Sequence, residues 1–526
     1  MRPRFRAAWL ARHVTLGLLI AGAVFPAWTE ARAQTVLRAR LNADIVSTNP
    51  GVRRDENTDG VLLHVTEGLV AYREDLSVGP LLAQGWEVSK DGRSYTFHLR
   101  HEVKFHNGAP LTSAEVVWSF HRYLDPKTHW RCLHEFDGGG FATITGVQAL
   151  DLATVRITLD KAAPQFLSTL SRLDCGGTGI LYPSSVGPDG SWRAPIGTGP
   201  FRFAGWKRNQ YIDLVRFPAY QSLPGSRDGE TGGKAPLVDR VRFLVIPDPV
   251  AAEAALLRGE LDVVSGLLPI EVRELRRRKD LHLEVQPTMD LYGIFFQTKD
   301  PVLRDVRLRQ AIAATVDVAA LTRVITQGTA APDRSVVPDA SRFHDAIHAQ
   351  LPKHNIVEAR RLAAAAGYHG QPIKLLANHR YPLMFDAAVL VQAMAREAGI
   401  NIVIDTVDWA SQLARYNSGK YQMMSSAYSA RLDPSLSYDA MLGNKSADPR
   451  KLWDDPEAVR LLARSRATAD PAERQKVFDQ LHALFLRDVP AIALFNSAVI
   501  TAVRGNVTGL NGWPAGQPRL WGVGLR

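Results

Sequence analysis

The chain has 526 residues, 46% of them hydrophobic and 22% charged, with 63 basic and 53 acidic side chains and a formal net charge of +10. That length exceeds what one hydrophobic core usually serves, so two or three domains are expected. The charge excess is mild for the length and no basic run stands out, so the composition carries no nucleic-acid footprint.

In chain order, Arg2, Arg4, Arg6 and Arg12 precede an uncharged apolar run from Val14 to Phe25. Ala31-Arg32-Ala33 then puts small residues at the two positions a signal peptidase reads. Residues 1–33 are therefore read as a signal peptide cleaved before Gln34. The apolar run is short for a bilayer span, which favours removal over an uncleaved membrane helix, and no Cys sits at the cleavage site to carry a lipid. No later stretch approaches the ~20 apolar residues a membrane helix needs.

Leu37 to Leu41 begins a strand, and Ser47-Thr48-Asn49-Pro50 follows as a polar turn. His64 to Val70 (HVTEGLV) is expected to end a helix at Gly68. The stretch from Asp91 to Leu124 is the most informative. Asp91-Gly92 makes a turn, and Tyr95, Phe97 and Leu99 then alternate with polar residues as on a half-buried strand. Val103 and Phe105 extend the alternation into a second strand, and Asn107-Gly108 supplies a tight turn. Thr112 with Glu115 has capping-box spacing, and Val116, Val117, Phe120 and Leu124 recur at helical intervals. His98, His101 and His106 fall on different faces and read as surface.

This stretch resembles the signature of the solute-binding proteins of peptide, nickel and related ATP-binding-cassette importers. Ser113 and Glu115 are small departures from its pattern. Three later runs carry the same resemblance. Ile196–Phe201 is similar to the family's GTGPF turn, read as a re-entry into the main sheet and not a phosphate loop, since no Lys-Ser/Thr follows. A helix from Pro249 to Leu257, stopped at Gly259 and followed by Glu260–Val263, matches its LxxGELDV run. Leu308–Asp317 matches a run within a helix expected over residues 306–325, where Thr315 replaces a usual Ala.

The resemblance implies an α/β fold of the two-lobed periplasmic binding protein type II, with mixed sheets and an extra small α/β subdomain. It places residues 34–64, 196–287 and 490–526 in a discontinuous first lobe, 65–195 in the accessory subdomain, and 288–489 in the second lobe. It implies a periplasmic protein, most simply a monomer without cofactor or metal, that carries a peptide-like solute to membrane permease subunits. Nickel-chelate, opine and other non-peptide solutes stay open as alternatives. Cys132 and Cys175, the only cysteines, would tend to pair in an oxidising compartment; two buried thiols are the other reading.

By resemblance, Ser47, Thr48 and Asn49 border the ligand cleft; Tyr292 opens an aromatic strand running to Phe296, and Gln297 stands after it where the family often carries Asn. Asn378, His379 and Arg380 follow a strand expected at Ile373–Leu376, where open α/β lobes bind ligands. Peptide-binding members present an acidic residue to the ligand's ammonium from a W-x-x-D segment. Here Tyr428 takes the aromatic position and Arg431 the acidic one. Asp433 is then open as an amine partner or as a turn cap, and Arg431 as an anion clamp or as a partner of Asp433. A secreted hydrolase is the reading from another class, but His134-Glu135 lacks a zincin's second His and no G-x-S-x-G elbow occurs.

Overall fold

Alternation and capping set most of the elements in the computed structural model, which describes residues 34–139 and 142–526; the expected signal peptide, 1–33, lies outside the described residues. The strand Val36–Leu41 buries Leu37, Ala39 and Leu41 and pairs in parallel with both Arg240–Val245 and Val263–Ser265. Antiparallel neighbours complete a seven-stranded mixed sheet, in the order 281–287, 498–504, 263–265, 36–41, 240–245, 211–216 and 201–207. Helix Pro249–Arg258 stops at Gly259, whose φ of +78° suits a residue without Cβ.

A second mixed sheet has five strands, in the order 402–406, 373–377, 423–428, 291–296 and 491–495. Apart from the edge strand Ile402–Thr406, its strands are largely buried on both faces. Ile294, Phe296 and Leu375 pack with helices Val306–Thr315, Val318–Thr326, Ile356–Ala365 and Pro382–Glu397. Leu291, Phe295, Leu376 and Met424 pack on the other side with helices Pro434–Met441, Pro456–Ala467 and Pro471–Asp488. Burial on both faces explains why these strands read as near-continuous apolar runs and not as alternation.

The third unit is a four-stranded antiparallel sheet, 83–88, 94–99, 154–159 and 144–151, covered by helix Ser113–Leu124. Thr112 and Glu115 form the capping box there: Glu115 Oε2 accepts from the Thr112 amide at 3.0 Å and Thr112 Oγ1 from the Ala114 amide at 3.3 Å. Cys132 and Cys175 are joined by a disulfide within this region. No helix of the described residues is long and apolar enough to cross a membrane.

Several local expectations give way. Val103 and Phe105 are buried but form no strand, because Glu102 takes a φ of +62° and turns the chain, leaving a single bridge between Lys104 and Pro110. The helix expected over residues 306–325 is two helices, because Asp317 caps a new one by accepting from the Ala320 amide at 2.9 Å. Helix Glu56–Leu62 ends before Gly68, which is required for another reason: a Cβ there would lie 2.2 Å from the Gly177 carbonyl oxygen. His106 is not a surface residue; its ring packs on Phe217 and Nε2 contacts the Gly199 carbonyl at 3.0 Å. The GTGPF turn passes so close to the end of the first helix that a Cβ on Gly197 would meet the Val65 carbonyl at 2.2 Å.

Candidate functional site

Among the described residues the chain passes between the two large sheets twice, which concentrates the junction in a few residues. Thr288-Met289-Asp290 leads from the strand Leu281–Pro287 into Leu291–Phe296, and Asn496-Ser497 leads back from Ala491–Phe495 into Ala498–Arg504. The second crossing therefore falls at residues 496–497, not at 490, since Ala491–Phe495 is still paired in the five-stranded sheet. The two crossings are tied together. The Thr288 amide donates to the Ser497 carbonyl at 2.9 Å, the Ser497 amide donates to Asp290 Oδ1 at 2.6 Å, and the Ser497 hydroxyl donates to Asp290 Oδ2. Burial pushes the Asp290 carboxyl up to about 6, against the bonds from Ser497.

On the first-lobe side, a charged group gathers beside the disulfide. Arg172 donates to Asp174 from Nε and Nη2 at 2.9 and 2.8 Å and to Glu135 at 2.6 Å. Arg54 donates to Asp59 through Nε at 2.7 Å, and burial raises the Asp59 carboxyl to about 7 despite that partner. Gly176 and Gly177, both at positive φ, let the chain turn under Gly51 directly after Cys175. Sequence reading missed these arginines and acids; the Arg172-Leu173-Asp174-Cys175 run, charges abutting a cysteine, was the available signal.

On the second-lobe side stands the segment after the strand Met423–Tyr428. Tyr428 stacks on Phe295 at 4.8 Å, and its hydroxyl lies 3.1 Å from that of Tyr416. Asp433 is buried and capped into its surroundings. It accepts from Arg474 Nη2 at 2.7 and 2.9 Å and from the Ser435 amide at 2.9 Å while starting helix Pro434–Met441. The pairing holds its carboxyl below the usual range in spite of burial. Arg431 does not pair with Asp433. Its Nη1 donates to the nearby Ser429 carbonyl at 2.9 Å, its guanidinium lies 5.3 Å from the Tyr428 ring, and its backbone amide donates to Met289 in the crossing. Burial lowers its proton affinity, and the charges of Asp174 and Arg172 reach it from the other side. Arg431 thus stands beside the first crossing, tied to it through its backbone amide.

Most of the remaining candidates are tied to neighbours within the chain, whereas His379 and Arg380 are exposed. Thr48 Oγ1 accepts from Trp192 Nε1 at 2.9 Å, Asn49 Oδ1 accepts from Arg122 Nη2 at 2.7 Å, and Ser47 Oγ accepts from the Asn49 amide at 2.9 Å. Asn378 is buried between Gln412 and the Tyr381 amide. Tyr292 stacks on Phe495 at 5.0 Å. His379 stacks on Phe385 and belongs to neither cluster of metal-ligating side chains among the described residues; Arg380 lies over Tyr381.

Two cavities bear on the site. One, of ≈ 30 Å³, is lined by Tyr72, Leu76 and Ser168 from the first-lobe side and by Arg342, Phe343 and Asp433 from the other, so the lobes meet there around space for about one water. The other, of ≈ 680 Å³, lies at the end of the five-stranded sheet remote from the crossings. Gln297 borders it with Lys299, Lys374, Arg415 and Lys420. Gln297 therefore sits apart from Arg431.

Residues 77–449 match the family model of the bacterial extracellular solute-binding proteins, family 5 middle region. The chain is 29% identical over 495 residues to di/tripeptide-binding protein 4 of Pseudomonas aeruginosa, covering 89% of each chain. It is 27% identical to AgaA of A. tumefaciens, solved in complex with agropinic acid, over 93% of this chain and 99% of that one, with a TM-score of 0.72. NikA from Brucella suis, solved with Fe(III)-EDTA, superposes with a TM-score of 0.81 over 93% of this chain and 100% of its own, at 22% identity, a likeness of fold.

Proposed function

Since the chain belongs to the bacterial extracellular solute-binding proteins of family 5, we propose that it is the periplasmic substrate-binding component of an ATP-binding-cassette importer, and that its solute is a peptide or peptide-like zwitterion gripped between the two lobes. The observation that carries the ligand reading is Arg431. It stands at the junction, its backbone amide bonded to Met289, and its side chain has one described hydrogen bond, to the Ser429 carbonyl.

A guanidinium has five donors in a planar fork that matches a carboxylate. In this reading the solute's carboxylate docks on Arg431, and its ammonium lies toward the carboxylates of Asp59 and Asp174. Desolvating charges is costly unless each meets a partner, so a zwitterion suits a junction lined by both signs better than a neutral solute does. Opening would proceed about the two crossings, with the lobes otherwise rigid, which is the hinge repertoire. Delivery to permease subunits, the cleaved signal peptide and a monomeric state belong to the same proposal.

An opine-like carboxylate is the second reading, because the acid of the peptide-binding segment is replaced by Arg431 and AgaA, solved with agropinic acid, is a relative.

Native mass spectrometry of protein purified from its own host identifies a retained solute. Thermal unfolding is then measured with that solute and with di- and tripeptides. A saturable rise in Tm, with the solute recovered unchanged and a smaller radius of gyration in scattering, is expected. Turnover of the solute, or no rise with any zwitterionic or anionic compound, overturns the reading. Arg431→Asp should exchange the preference for carboxylates; an unchanged preference removes Arg431 from recognition.

A further inference from the structure

Two Asp-x-x-His pairs, Asp345-Ala346-Ile347-His348 and Asp479-Gln480-Leu481-His482, face each other at a place the solute-binding reading does not use. The second pair lies within helix Pro471–Asp488, where residues three apart share a face. The first lies in a turn that Asp345 organises: its Oδ1 accepts from the Ile347 amide at 2.9 Å and contacts His348 Nδ1 at 2.8 Å. Gln475 bridges the two segments, donating to the Phe343 carbonyl at 3.0 Å and to Asp479 Oδ1 at 2.8 Å.

The chemistry converges. One ligand atom from each of Asp345, His348 and Asp479 lies within 4.8 Å of the other two, with Asp479 Oδ1 3.9 Å from His348 Nδ1. The His482 ring stands 4.9 Å from that of His348, centroid to centroid. A second observation is independent of that spacing. His482 is 1% exposed and neither of its ring nitrogens has a hydrogen-bond partner; His348 is fully buried and its Nε2 has none. A buried imidazole with both nitrogens unpaired is costly as pure packing, since an aromatic or aliphatic side chain would fill the space without stranded polar atoms.

We propose that Asp345, His348, Asp479 and His482 form a binding site for a divalent first-row transition cation, with Zn²⁺ as its best-fitting member. Two imidazoles and two carboxylates make a borderline donor set of the kind zinc takes as four ligands, whereas Mg²⁺ and Ca²⁺ call for all-oxygen shells of six or more. Asp345, His348 and Asp479 already hold their ligand atoms together, and His482, whose ring lies beside that of His348, would complete the set by turning a nitrogen toward them. The imidazoles are sealed, while Asp345 and Asp479 are 38% and 23% exposed, so the carboxylates form the entrance. His344, paired with Asp333 and 5.8 Å from the His348 ring, stands just outside the four. A bound ion would pin the helix that runs into the return strand Ala491–Phe495 to the segment whose Asp339 amide donates to Asn496 in the crossing.

Untagged full-length protein, stripped with a chelator and dialysed, is titrated with Zn²⁺ by calorimetry, and X-ray absorption is recorded on the loaded sample. A single saturable equivalent is expected, with a first shell of nitrogen and oxygen at about 2.0–2.2 Å and imidazole outer-shell scattering. Asp345→Asn and His482→Gln should each weaken binding at least about 10-fold, since even outer-shell losses cost that much. Asp345 is partly exposed, so that variant decides the matter if His482→Gln fails to fold. No saturable equivalent, an all-oxygen shell, or affinity unchanged in Asp345→Asn overturns the proposal. None of these outcomes depends on the solute in the junction.

Discussion

The two polar segments that the resemblance assigns to the cleft differ in what remains of their hydrogen-bonding capacity. Ser47-Thr48-Asn49 has given its side-chain acceptors to its own amide, to Trp192 and to Arg122, so it fastens the first strand's exit to the accessory subdomain. The Tyr428–Asp433 segment divides the labour: Asp433 is saturated by Arg474 and Ser435, while Arg431 is left with one described bond of its five donors. A side chain whose partners are already in the chain positions backbone, and one with capacity to spare can recognise. Substitutions that separate the two roles test that distinction.

Asp433 should produce the largest effect, and on folding. Replacing it with Ala strands the guanidinium of Arg474, which is 3% exposed, and also removes the cap of helix Pro434–Met441. Breaking a buried pair from one side costs about 3–5 kcal/mol, so urea unfolding should move by that much. A variant as stable as the parent would show that the pair contributes nothing, and would return Asp433 to the pool of recognition groups.

Next comes the crossing itself. Folding raises the Asp290 carboxyl from an ordinary ~3.9 to about 6, so the folded state prefers it protonated. That preference is complete below the unfolded value and is lost as pH rises through about 6. Asp290 therefore destabilises progressively over that window, by up to about 3 kcal/mol once it is fully ionised. Asp290→Asn keeps an acceptor for the Ser497 amide and cannot ionise. Its stability should overtake the parent's as pH rises from about 4 to about 7; parallel pH profiles for the two proteins would contradict the assignment.

The sequence made the backbone legible where the deciding interaction is local. The Thr112/Glu115 box and the Gly259 stop each act within a turn, and the alternation of Tyr95, Phe97 and Leu99 is a property of one strand. Even locally, a single residue overrode the pattern: Glu102 at positive φ bent the chain after the alternation had promised a second strand. Side-chain availability was not legible, because Asn49 meets Arg122 and Thr48 meets Trp192 across 73 and 144 residues. The same holds for Asp433 and Arg474, and for the two Asp-x-x-His pairs, which mean little until the fold sets them face to face. The resemblance located the segment bearing Arg431, but its freedom follows only from Asp433 having taken another partner.

The sharpest form of the comparison uses two mild substitutions with opposite readouts. Arg431→Gln removes the fork while keeping a polar chain. If the solute's carboxylate docks there, affinity should fall roughly 10–100-fold, the worth of a charge-assisted bond or two, while stability stays within about 0.5 kcal/mol. Asn49→Ala removes the acceptor for Arg122, a guanidinium whose Nη1 is already buried without a partner. That should lower stability by about 1 kcal/mol and leave affinity unchanged. Both are measured by denaturant titration and calorimetry with the same solute. If the effects crossed over, with Asn49 tuning affinity and Arg431 only stability, recognition would belong to the entry loop, and the guanidinium would be a packing group held over Tyr428.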